Sequence, residues 1–342
     1  MNANALLSDI DVGHQVGLGR YSAATSRKLL GILKTSEDDV VRQLREAGWE
    51  DVTRESARVA RLEKVLEGIR QTQREAYGKA GRTLRSDLLE LAPYETGFQA
   101  KAVQQATAAR IQAADLSQPK AEDLRAAIDG EPFQGRELKE WGDDLRDAAF
   151  RRVRDAVRIG YTDGQGVASI VSTIKGTAAA RFKDGIDETG RRDVEGLVRT
   201  AVTHTAQQAK SAFFAANPTI FRGERWNAVL DNRTTAVCRG RDGKVYPLEE
   251  GPRPPAHWRC RSTTTGVLHG EPDAPDGDTY GAWLARQDRE TQDQVLGSVK
   301  VVLWRDGGLK LDRFIDDTGA EYTLEELNRR ESAAFTRAGV AL

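Results

Sequence analysis

The chain has little of what would give it a ready chemical identity. Its 342 residues include two cysteines, one methionine and four histidines, and aromatic residues make up 6%. Two cysteines cannot staple a disulfide scaffold, and their scarcity fits a reducing compartment such as the cytoplasm. No apolar run of about 18 residues occurs, so no membrane span is expected. The opening stretch from Met1 to Asp11 carries acids where a secretory signal needs a basic start, so export by such a signal is not expected. Charge of one sign is also lacking: 51 basic residues stand against 52 acidic ones, a formal net charge of −1. Proteins whose main task is coating DNA carry a clear basic excess, because phosphate neutralisation drives that binding. Any nucleic-acid contact here must therefore be local.

What is present is helical patterning. The hydrophobic fraction is 39% and the charged fraction 30%, a soluble, helix-rich composition long enough for about two or three domains. Val59, Leu62, Val65 and Ile69 recur at three- and four-residue spacing, with Arg58, Arg61, Glu63, Lys64 and Glu67 on the other face. Leu84, Leu88 and Leu91 extend the stripe, and Pro93 is expected to stop it. A second amphipathic run spans about Ala100 to Leu116, and a third spans Leu138 to Tyr161, with Trp141, Leu145, Phe150, Val153 and Val157 facing inward. Glycines near 160–166 lack both a dinucleotide fingerprint and a Lys-Ser/Thr ending, so they predict a helix–helix turn and not a phosphate loop. Val167, Ile170, Val171 and Ile174 restart the helix. Asp193 to Asn217 is another, with Val194, Leu197, Val198, Ala201 and Thr205 on one face. From Arg225 to Val267 the texture changes to short strands and loops, stiffened by Pro252, Pro254 and Pro255. Gly270 to Leu342 opens with a Pro/Asp/Gly-rich linker and continues as short helices around Trp283 and Leu324.

The most informative stretch is Arg199 to Thr265. It holds Arg199-Thr200 on a helix, then Trp226, then Asp231, Arg233, Thr234 and Cys238, then Asp242-Gly243, and finally Pro255, His257, Cys260 and Arg261. Asp242-Gly243 predicts a tight hairpin turn that returns the strand of Val245 and Tyr246 beside one carrying Cys238. Asp231 and Thr234 are suited to hold an irregular turn through local backbone hydrogen bonds. In order and spacing the run resembles the domain shared by phage Mu F-like minor head proteins, the head morphogenesis family that also includes a minor capsid protein of phage SPP1. Two departures stand out: Cys260-Arg261 continues to Ser262 where many relatives have Cys, and Ala201 follows Arg199-Thr200 where an acid is common. The resemblance covers about 150–330; the first 120 residues share only helicity.

That resemblance implies a mainly α protein with a small α+β domain. Its parts would be an N-terminal helical bundle or long helical hairpin over 1–125, a Mu F-like core over 126–269, and a linker with a short helical tail over 270–342. It implies no enzyme: no catalytic residue and no bound organic cofactor. A nucleophilic Cys–His pair would need an oxyanion hole and an orienting third group, and neither is marked in the sequence. The expected place is the virion, inside the capsid near the portal vertex, after assembly in the host cytoplasm. Expected partners are the portal protein and the scaffold or major capsid protein, with self-association through the amphipathic helices and no membrane. Cys238, His257 and Cys260 are candidate metal ligands, with His204, Asp231 or His269 as a fourth for structural zinc. Free thiols and a Cys238–Cys260 disulfide are the alternatives. Nine basic residues between Arg222 and Arg261 face five acidic ones, which opens two further readings: non-specific contact with genomic DNA during packaging or ejection, or a protein interface.

Overall fold

The computed structural model describes residues 2–48, 54–272 and 279–341. The chain forms two compact units from interleaved segments: Met1–Gly17, Tyr94–Lys120 and Ala206–Leu342 in one, Leu18–Pro93 and Ala121–Thr205 in the other. As expected, the chain is mainly helical with one small antiparallel sheet. Six helices precede the sheet: α1 (Ala3–Glu46), α2 (Glu55–Ala106), α3 (Ala121–Gly130), α4 (Leu138–Thr162), α5 (Val167–Lys175) and α6 (Ile186–Ala215).

Within the Leu18–Pro93/Ala121–Thr205 unit, α1 and α2 form the expected long antiparallel hairpin. Lys28 pairs with Asp87, Gln43 donates to Thr72, and Arg61 donates to the Gly48 carbonyl. Leu62, Leu66 and Ile69 meet Val40, Val41 and Leu44 of α1, Val153 and Val157 of α4, and Ile170, Val171 and Ile174 of α5. Burying this stripe, more than intrinsic propensity, holds such helices. Val59, expected inward, is 44% exposed. It lies beyond the contact of Arg61 with Gly48, where α1 has already ended at Glu46. The turn between α4 and α5 is made at Gly164, whose φ is +67°. The link from α5 to α6 is closed by Asp184, whose carboxylate accepts from the Thr177 amide and hydroxyl, each at 2.8 Å. Gly185 has no room for a side chain there, since a Cβ would lie 2.3 Å from the Gly176 nitrogen.

Pro93 does not stop its helix; α2 runs through it. The ring removes one ladder hydrogen bond. The turns on either side are nevertheless pinned by buried residues: Leu88, Leu91 and Ala92 before it, Glu95, Thr96 and Gln99 after it. The run expected over Ala100 to Leu116 is therefore the end of α2, followed by a 3-10 turn at Ala113–Asp115.

The other unit holds the sheet β2–β1–β3, formed by β1 (Phe221–Asn227), β2 (Val245–Tyr246) and β3 (Thr263–Leu268). Arg225 pairs with Val245 on one side of β1 and with Thr265 on the other. Cys238 lies on a short helix, α7 (Ala236–Arg241), and not on a strand, which corrects the expected hairpin. The partner that β2 needs is the open edge of β1, so the Asp242-Gly243 turn joins a helix to a strand; Gly243 takes a φ of +76°. The amide of Gly243 donates to the Trp226 carbonyl, and the amide of Trp226 donates to the Lys244 carbonyl. Helices α8 (Tyr280–Ala285), α9 (Arg289–Leu296), α10 (Lys300–Arg305) and α11 (Leu324–Ala338) complete one core with Trp226, Cys238 and Cys260. The Pro/Asp/Gly-rich linker expected after Gly270 lies largely outside the described residues. A second core in this unit stacks Phe213, Phe214 and Phe221 with Leu7, Val103 and Leu268.

Candidate metal centre

Most residues of the sequence motif in the sheet-bearing unit organise backbone. Arg261 grips Asp231 with both guanidinium arms, at 2.5 and 2.7 Å, a bidentate pair. The same carboxylate accepts from the Arg233 amide at 3.0 Å, and the Thr234 hydroxyl bonds both Asp231 and the Val229 carbonyl. The Arg261 guanidinium holds the Asp231 carboxyl down at about 2. Asp242 accepts from the amides of Ala228 and Tyr280, each at 2.7 Å, fastening the chain after β1 to the start of α8. Burial nonetheless pushes its carboxyl up to about 6. Trp226 is fully buried beneath the Arg241 guanidinium, and Tyr280, also fully buried, donates its hydroxyl to the Asp231 carbonyl.

On this frame three soft side chains converge. Cys238 comes from α7, while His257 and Cys260 come from the loop after the buried Pro254-Pro255 pair. Cys238 Sγ lies 3.7 Å from Cys260 Sγ and 3.3 Å from His257 Nε2, and the three ligand atoms fall within 4.8 Å of one another. Both sulfurs are buried, the imidazole half so. His257 Nδ1 donates to the Trp258 carbonyl at 2.9 Å. That bond fixes the neutral ring's proton on Nδ1 and turns the Nε2 lone pair toward the sulfurs. The hydrogen bond from Cys238, with His257 beside it, lowers the Cys260 thiol well below its usual range; that shared bond and burial push Cys238 up. The cluster thus holds one thiolate readily and a second when a cation compensates it.

The sequence also offered Asp231, His269 and His204 as a fourth ligand. Asp231 is taken by Arg261, and His269 bonds the Pro218 carbonyl. Among the described residues, no further His, Cys, Asp or Glu joins the group. His204 lies on α6 in the other unit, as do Arg199 and Thr200. It is buried against Phe133, and burial depresses its imidazole to about 4. Thr200 donates to the Gly196 carbonyl within its own helix.

Sequence reading missed a buried ionic cluster in the sheet-bearing unit. Lys210 Nζ reaches Asp11 and the Thr263 hydroxyl, each at 2.9 Å, with Glu95 at 3.9 Å. Glu95 in turn pairs with His14 at 2.7 Å. Glu224 takes hydrogen bonds from Gln207, Ser211, Thr264 and Arg253. The sequence signal for this cluster was a lysine set among Ala206, Ala209, Phe213 and Phe214 on one helix.

The nine basic residues between Arg222 and Arg261 are mostly engaged within the fold. Arg225 and Arg241 are buried, Arg239 is nearly so and bonds the Thr234 carbonyl, and Arg253 and Arg261 pair with Glu224 and Asp231. Lys244 stands 3.7 Å from Asp312. Arg233 and Arg259 remain exposed at the surface.

The chain is helix-rich, and a short helix and a loop beside its small antiparallel sheet carry this Cys/His-centred motif. Residues 151–265, about a third of the chain and parts of both units, match the family model described as "Phage Mu protein F like protein". That stretch of the chain is therefore similar to a phage Mu F-like domain. No curated protein and no solved structure matches the chain significantly.

Proposed function

We propose that the protein is a phage minor head protein acting in head morphogenesis, bound at the portal vertex inside the capsid. The observation that carries this reading is the Mu F-like match over 151–265. The motif residues support a structural role. Asp231, Thr234, Asp242 and Arg261 are spent on bonds within the fold. Long amphipathic helices suit docking on an oligomeric portal, on scaffold or major capsid protein, or on a second copy of the chain. The internal engagement of Arg225, Arg239, Arg241, Arg253 and Arg261 weighs against genomic DNA as the main partner, because phosphate neutralisation needs exposed cations.

Affinity capture tests the reading. The full chain should retain the portal oligomer of its own phage more strongly than the major capsid protein alone. Absence of portal binding in either order of addition overturns it.

A further inference from the structure

We propose that Cys238, His257 and Cys260 bind a zinc ion that ties α7 to the Pro254–Cys260 loop, with water at the fourth position. The geometry points to a tetrahedral ion. With Zn–S near 2.3 Å and Zn–N near 2.0–2.1 Å, tetrahedral angles place two thiolate sulfurs about 3.8 Å apart and a sulfur and imidazole nitrogen about 3.6 Å apart. The observed separations are 3.7 and 3.3 Å. A disulfide would need roughly 2.05 Å between the same sulfurs.

Three further features agree. The Trp258 carbonyl fixes His257 in the tautomer that offers Nε2, which is the outer-shell arrangement of a metal-ligating histidine. Two thiolates, one neutral imidazole and one divalent cation sum to zero charge, so the assembled centre can sit beside Trp226 and Tyr280 in the core without an unpaired buried charge. The loop between Tyr246 and Thr263 has no strand ladder, so a metal there would add a tie that the backbone pairing does not supply. His257, the half-exposed ligand, leaves the route by which water completes the coordination. An open vertex is more usual in catalytic zinc sites. Here no general base stands within the group, and the ion's task is to hold the fold.

The test uses the full chain, produced with added zinc and purified under reducing conditions. Elemental analysis should give about one zinc per chain. Chelation should expose two reactive thiols and lower Tm by several degrees, and zinc, but not magnesium, should reverse both changes. Cys238→Ser and Cys260→Ser should each lose the metal. Because those variants risk misfolding, His257→Cys serves as the control: it supplies a third thiolate and should keep both zinc and Tm. Three outcomes overturn the proposal: a zinc-free chain whose Tm ignores added zinc, a mass two hydrogens short that reports a disulfide, or zinc that persists in both serine variants.

Discussion

At the scale of single residues, burial sets the chemistry more than residue type does. Asp187, on the first turn of α6, lines a cavity of about 30 Å³ with Glu37, Tyr77 and Ile174. Burial and then Glu37 push its carboxyl up to about 7, against Arg191 and Lys175. A folded-state value above the ordinary one of 3.8 means that the folded state holds the proton more tightly than the unfolded state. The stability it contributes is present below pH about 4 and is lost as pH rises through about 7. At about 1.4 kcal/mol per unit, the loss is a few kcal/mol. Asp242 works in the same direction up to about pH 6, whereas Asp231, held at about 2, loses its contribution only as the solution becomes strongly acidic. Asp187→Asn should flatten the decline between pH 4 and 7 in urea titrations. A decline as steep as that of the parent contradicts the assignment. Little of this was legible beforehand, because Asp187 reads as an ordinary first-turn acid until Glu37 is brought beside it. The Cys238, His257 and Cys260 cluster was legible, since all three fall in one short window whose turn residues had recognisable roles.

At the scale of elements, the sheet-bearing unit is cross-tied by charge. Lys210 on α6 joins Asp11 of α1, Glu95 of α2 and Thr263 and Thr264 of β3, all away from water. Burial alone would discharge the lysine, and Asp11 and Glu95 instead hold its ammonium above the usual range. Lys210→Met keeps the volume and removes the compensating charge, leaving two buried carboxylates. It should cost about 3–5 kcal/mol in urea unfolding, and adding Asp11→Asn should recover part of that loss. A loss below about 1 kcal/mol would mean that the cluster is hydrated and loosely held. The helices themselves followed from apolar spacing: α4 and α5 lie close to where periodicity put them, while α6 begins at Ile186, before the expected start at Asp193. Two element-level expectations failed for tertiary reasons. Pro93 is carried within α2 by packing on both sides, and β2 pairs with β1 because Cys238 is on a helix. Neither neighbour is visible in a local window.

At the scale of the whole molecule, the two units share no simple boundary in the sequence. Long helices pass from one unit to the other, so each unit draws on segments far apart in the sequence. The Mu F-like match likewise takes residues from both units, joining Arg199 and Thr200 to a motif whose remaining residues lie beyond Ala206. A count of nine basic residues does not reveal that Arg225 and Arg241 are buried and Arg239 nearly so. Charge reversal at Arg239 or Arg241 would therefore report on folding, and Arg233 and Arg259 are the positions at which surface contact can be probed. If the protein is the head component proposed above, quantitative mass spectrometry of purified empty procapsids and filled heads should find a few copies in both particles, in fixed proportion to portal; absence from both, with the protein abundant in the same lysate, would contradict that role.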